Sequence, residues 1–349
     1  MKLLLVIIIL NYITNTITIK LIMTPIYKYQ HLIDSDKLNW NYLSRNENAI
    51  HLLEQNIDKL NWHWLSINPN AIKILENYSH KIDWNILSSN ENAIHLLEKH
   101  FDKINWENLS ANKNAIGILK NNIDKIKFNY LAMNTHPDAI ALLETHLLSS
   151  SIDDEFWEYL PMRRHLITLI EKHLDKINWN YLSMNDNAIH LLEQNMDKIN
   201  WIYLSGNTKA IHILEQNSDK LYWYNLSTNK NAIPILEKNL DKIRWDGLSN
   251  NINAIHMLEK NSDKLNWENL SLNPNALPIL AKPHHIHKIN WDNLSKNPSL
   301  FELDYIAMGK QRTQIIEQEL IMKALHPSRV SKWLDYHLEN GKDISDFEY

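Results

Sequence analysis

Five histidines, His51, His95, His190, His212 and His256, each stand eleven residues after a tryptophan, and a glutamate follows each of them by three. Imidazole beside carboxylate can move protons or hold a metal ion. Either use requires the groups to converge. A zinc–nitrogen bond is about 2 Å long, whereas neighbouring helices pack about 8–10 Å apart. Equivalent histidines of successive copies, such as His190 and His212, are therefore expected to line a surface or groove and not to share an ion. Acid–base catalysis needs carboxylates held in different environments. Glu54, Glu76, Glu98, Glu193, Glu215, Glu237 and Glu259 instead recur in one environment, beside Asp–Lys pairs such as Asp58–Lys59 and Asp197–Lys198, which reads as a solvated face of mixed sign. The densest cluster, His284, His285 and His287, has no recognised metal spacing and reads as a polar loop. There is no cysteine, no phosphate-cradling glycine loop, no G-x-S-x-G and no kinase signature. The expected reading is no catalytic residue, no cofactor and no metal.

What positions these side chains is a repeat. Trp40, Trp62, Trp84 and Trp106 are 22 residues apart, and Phe128 keeps the step. After a 29-residue step to Trp157, the spacing of 22 returns through Trp179, Trp201, Trp223, Trp245 and Trp267, and Trp291 follows after 24. The unit reads W-x-x-L-S-x-N-x-N-A-I-x-x-L-E-x-N-x-D-K-I. Trp62 and Leu65 share one face of a short helix, and Asn68 and Pro69 suit the start of a second, which carries Ile72 and Leu75. Helices of about six and nine residues are too short to stand alone. Stacking of copies must bury their apolar faces. The expected fold is all-α: an α-solenoid of right-handed type, built of short helix pairs, with the tryptophans largely buried. Apolar spacings of three and four disfavour a leucine-rich β-solenoid.

The array, residues 24–300, contains an irregular unit at 135–165, where Pro161 and Arg163–Arg164 replace repeat residues, and a lengthened loop at 281–290. Residues 301–349 read as a C-terminal helical cap over the last apolar face: Ile315, Ile316, Leu320, Ile321 and Leu325 have helical spacing, and Pro327 starts a helix with Val330, Trp333 and Leu334. Residues 1–23 carry a short apolar run, Leu3–Leu10, which reads as a signal or anchor, or lies upstream of a natural start at Met23. The sequons at Asn108, Asn225, Asn269 and Asn293 follow from the repeat itself. Most of the 46 asparagines sit at fixed repeat positions, which marks them as structural. A net charge of -5 argues against a nucleic-acid partner.

The stretch WNYLSMNDNAIHLLEQNMDKINW resembles the repeat of a large set of uncharacterised proteins of giant DNA viruses of amoebae, the mimivirus relatives. The ending is similar to the H-P-x-R-V-x-x-x-L-D tail found on many of them, here His326, Pro327, Arg329, Val330, Leu334 and Asp335. The resemblance spans roughly residues 35–340 and implies no biochemical activity. It implies a viral protein, in the host cytoplasm or viral factory, or at a membrane or secreted if residues 1–23 act as a signal. The functional expectation is a non-enzymatic scaffold for a host or viral protein. A structural component of a particle and an enzyme with its site in the irregular segments are the alternatives. Positions that vary between matching copies are the candidate partner face. The second residue after the tryptophan is favoured, through Trp64, Tyr181 and Tyr203; the eleventh, with its histidines, is the other candidate.

Overall fold

The computed structural model describes residues 27–29, 34–149, 154–324 and 326–339. The readings of residues 1–23 fall outside them. Contacts divide the chain into residues 29–301 and a second unit that includes 302–349.

Residues 29–301 form the expected all-α solenoid of helix pairs. We number its rungs 1 to 12 from Trp40 to Trp291. A rung opens with a first helix of four to six residues, such as Trp62–Ile67, turns into a second, such as Ile72–Asn77, and closes with a 3-10 turn. The second helix is shorter than expected because the D-K-I segment leaves it to form that turn.

Two asparagines shape a typical rung, the first of them replaced in rungs 3, 5, 6, 9 and 10. The one before the tryptophan caps the first helix, as when Asn61 Oδ1 accepts the Trp64 N–H at 3.1 Å. The one six residues after it makes the turn, as when Asn68 Oδ1 accepts the Asn70 N–H at 3.0 Å.

Asn68 does more than the sequence disclosed. Its Nδ2 reaches back to the preceding rung and donates to the backbone carbonyls of Ser44 and Asn46, both at 3.1 Å. Asn90, Asn112, Asn134, Asn229, Asn251 and Asn273 repeat the two bonds. A buried asparagine ladder thus satisfies carbonyls that short helices leave open at their ends. Serine reinforces it: the Ser44 hydroxyl donates to the Trp40 carbonyl and accepts the Asn61 N–H of the next rung.

Leu65, Ala71 and Leu75 of rung 2 and their equivalents are wholly buried. The tryptophans are not, which corrects the expectation. Among the repeat tryptophans only Trp157 is buried, and the others are half-buried. The lysine of the 3-10 turn covers the exposed part: Lys59 lies 4.8 Å from the Trp40 ring centroid and Lys220 lies 4.7 Å from that of Trp201. These lysines are cation–π partners and not members of a merely solvated face. Leu204→Ala, with its side chain fully enclosed, should cost about 2–5 kcal/mol in denaturant unfolding.

The larger departure is at the ends. The solenoid closes on itself. Asn46 Nδ2 in rung 1 donates to the carbonyls of Ser295 and Asn297 in rung 12, each at 3.2 Å, and the Asn39 N–H donates to Ser295 Oγ at 2.8 Å. The same bonds join most neighbouring rungs. Rung 12 has a first helix, Trp291–Lys296, but runs on into a strand, Phe301–Leu303, instead of a second helix. Its missing 3-10 turn comes from the start of the array, where Ser35–Lys37 places Lys37 Nζ 5.4 Å from the Trp291 ring centroid. Phe301–Leu303 pairs with Tyr27–Tyr29, so the chain entering the ring is also joined to the chain leaving it. The first helix of rung 1, Trp40–Leu43, packs on that of rung 12.

Successive first helices pack more closely than successive second helices, so the first helices form the inner layer. Twelve helices spaced about 8–10 Å apart make a circle roughly 30–38 Å across between opposite axes. Gly247 marks a close approach within that layer, since a Cβ there would lie 2.9 Å from the Tyr224 carbonyl oxygen.

In the second unit, Tyr305–Ala324 and Pro327–Glu339 are helical, as the sequence spacing indicates. Asp304 caps the first of them, accepting from the Ile306 and Ala307 amides, and these bonds hold its carboxyl below the ordinary value. No helix among the described residues is long and apolar enough to cross a membrane.

Candidate binding face on the inner helices

Repeat residues 0, 3 and 4 of the first helix turn into the rung, which leaves residues 2 and 5 on the opposite side, toward the centre of the ring. All three favoured residues, Trp64, Tyr181 and Tyr203, hold the second position and are half-buried on this face. The structure brings two of them together. Tyr181 stacks obliquely between Tyr159, 5.5 Å away, and Tyr203, 6.0 Å away. Desolvation beside these rings, with Tyr159, Glu158 and Tyr203 adding to it, raises the Tyr181 hydroxyl above the ordinary tyrosine value. Trp64 lies six rungs from Tyr203, on the opposite side of the closed ring, and carries the Arg45 guanidinium 5.4 Å from its ring centroid.

Sequence reasoning missed the residues that complete the aromatic row. Position 5 lies one helical turn beyond position 2 and shares its face. In rungs 5, 6 and 7 it is methionine: Met133, Met162 and Met184. Tyr130, Met133, Tyr159 and Met162 are all exposed, and with Tyr181, Met184 and Tyr203 they make an uncharged aromatic and thioether arc across four consecutive rungs. A cleft of about 380 Å³ opens within it, between Tyr130, Met133, Phe156 and Tyr159, with Glu155 and Arg163 also in its wall. The other rungs explain why position 2 varies. Asn108, Asn225, Asn269 and Asn293 each donate Nδ2 to a carbonyl of the preceding rung at 2.7 to 3.0 Å. Their amides are committed to joining inner helices, and the same bonds occupy the side-chain nitrogens of these four sequon asparagines.

The chain has no match among protein-family models, curated proteins or solved structures.

The competing face, eleven residues after the tryptophan, lies on the outer layer. Its histidines join rungs: His95 to Glu76 at 2.9 Å, His190 to Glu171 and His212 to Glu193 at 2.7 Å, and His256 to Glu237 at 3.0 Å. They are exposed, and each meets the acid of the rung before it. Such pairs contribute little stability, about 0–1 kcal/mol each. Among the described residues no group of three His, Asp or Glu side chains is placed to hold a metal. His285 departs from the polar-loop reading. It is buried, packs 4.7 Å from the Trp267 ring, and its Nδ1 donates to the Ile279 carbonyl at 2.8 Å. His100 on Trp84 and His173 on Trp157 occupy the same place in their rungs. The two extra residues of the 281–290 loop therefore leave the ring packing in register.

The irregular rung 6 preserves stacking, but Arg163 replaces its ladder asparagine. His165 Nε2 beside it is buried and makes no hydrogen bond of good geometry, although the Asn134 and Ala132 carbonyls are close enough to favour the charged ring. Burial, then Arg163, outweighs them and lowers the His165 pKa. A lowered folded-state pKa means that the neutral ring is the one that fits. Its contribution to stability is complete above the unfolded value of about 6.5 and is lost as pH falls through the lower folded value. The stability of the natural chain relative to His165→Gln should therefore decline below that pH in parallel urea titrations. A constant difference would show that the imidazole titrates alike in the folded and unfolded chain, so that burial does not lower its pKa.

Proposed function

We propose that this chain is a non-enzymatic ring scaffold that holds a partner protein segment against the tyrosine–methionine arc of rungs 5–8. The observation that carries this reading is the arc itself: exposed aromatic and thioether side chains on consecutive rungs, with no charge among them. Tyrosine offers a large rigid contact with a polar tip, and methionine adapts its shape to a partner. Among the residues lining the arc's cleft the one cation is Arg163, which is half-buried beside Glu155, whereas a nucleic acid needs several to neutralise its phosphates. In keeping with the sequence resemblance, we place the protein among those a giant virus makes in its amoebal host.

The test is capture of partners from infected cells by the natural chain and by a variant carrying Tyr159→Ser, Tyr181→Ser and Tyr203→Ser. Loss of a captured protein from the triple variant, with retention by the outer-face variant His212→Ser, is the expected result. Identical capture by all three folded proteins would remove the inner arc from consideration, and recovery of the chain only within purified particles would favour a structural role.

A further inference from the structure

Across all twelve rungs, positions 2 and 5 of the first helix contain just two charged side chains, Arg45 of rung 1 and Lys296 of rung 12. They lie far apart in the sequence, and only ring closure makes them neighbours. Both line a cleft of about 790 Å³ that crosses the seam, with Tyr42, Trp64 and Glu47 among its walls. Aromatic rings hold each cation in place. Lys296 Nζ lies 4.0 Å from the Tyr42 ring centroid and bonds Asn293 Oδ1 at 3.1 Å, while the Arg45 guanidinium lies over Trp64. Neither cation forms an ion pair with a carboxylate among the described residues, although Glu47 stands at the cleft wall.

We propose that the seam cleft is a binding site for a small organic oxyanion, a phosphate monoester or a dicarboxylate, seated between Arg45 and Lys296. Guanidinium offers paired N–H donors to such a group, and the ammonium adds a second cationic donor. Stacking on Tyr42 and Trp64 fixes both heads before the ligand arrives, so little side-chain entropy remains to be lost on binding. The volume lies within the range of small-molecule pockets, about 300–1,000 Å³, which leaves room for an organic group beside the anion. This site is independent of the tyrosine–methionine arc.

Titration calorimetry of the full chain with phenyl phosphate, succinate and inorganic phosphate tests the proposal. The expected result is saturable one-to-one binding of phenyl phosphate or succinate, with the tighter of the two naming the anion class. Arg45→Gln and Lys296→Gln should each weaken it about tenfold or more. Inorganic phosphate binding as tightly as phenyl phosphate would mean that the cleft reads only the oxyanion, and the organic part of the proposal would fall. Both side chains are exposed, so circular dichroism and melting of the variants should match the natural chain. No saturation with any probe by about 10 mM, or binding unchanged in both folded variants, would overturn the site.

Discussion

Replacing Asn229 with aspartate should destabilise the ring more than replacing it with alanine, although aspartate is nearly its isostere. Asn229 is 2% exposed. Its Nδ2 donates to the carbonyls of Ser205 at 3.1 Å and Asn207 at 3.0 Å, and its Oδ1 accepts the Asn231 N–H at 3.0 Å. Alanine removes all three bonds and leaves two enclosed carbonyls without these donors, at about 1–3 kcal/mol for each buried group left unpaired. Aspartate keeps the acceptor but sets a carboxylate against the two carbonyl oxygens. It must remain charged and repelled, or take up a proton and regain one donor. Urea unfolding at neutral pH should rank natural above alanine above aspartate, and the aspartate deficit should narrow as pH falls. Equal losses for the two variants would mean that the amide nitrogen is not the stabilising atom.

The same substitution at the seam, Asn46→Ala, should cost as much as Asn229→Ala, a few kcal/mol by the same reckoning. Asn46 belongs to the first rung in sequence order. In an open solenoid a terminal rung has one neighbour, frays readily and tolerates damage. In the closed ring Asn46 is 6% exposed and makes the bonds of an interior rung. Global unfolding measured for both variants decides it. A nearly silent Asn46→Ala beside a costly Asn229→Ala would indicate free ends.

The sequence disclosed the period, the helix pairs and the two C-terminal helices, because each is written in the spacing of neighbouring residues. It disclosed half of the asparagine's work. The turn that Asn68 makes involves Asn70, two residues away, whereas its Nδ2 bonds reach 22 and 24 residues back and exist only once rungs stack. Closure left a trace that spacing alone does not weigh. The array begins with S-D-K-L, the tail of a unit, at Ser35–Leu38, and ends with W-D-N-L-S-K-N, the head of one, at Trp291–Asn297. Each fragment is what the other lacks. Of the candidate face, Tyr181 and Tyr203 were legible because position 2 varies against a constant frame. Met133, Met162 and Met184 were not, since only the orientation of the first helices places position 5 beside position 2. Trp64 shares that position but belongs to the seam, a neighbourhood created by closure.

Closure is the central claim, and the chain contains no cysteine, so spin labels can be attached at chosen pairs without competition. Glu47→Cys with Pro298→Cys places labels on rungs 1 and 12, and Glu91→Cys with Lys113→Cys places them at the same repeat position on rungs 3 and 4. Dipolar broadening between the labels reports their separation. A closed ring predicts the same short separation for both pairs. A short separation at 91 and 113 with none detected between 47 and 298 would contradict it.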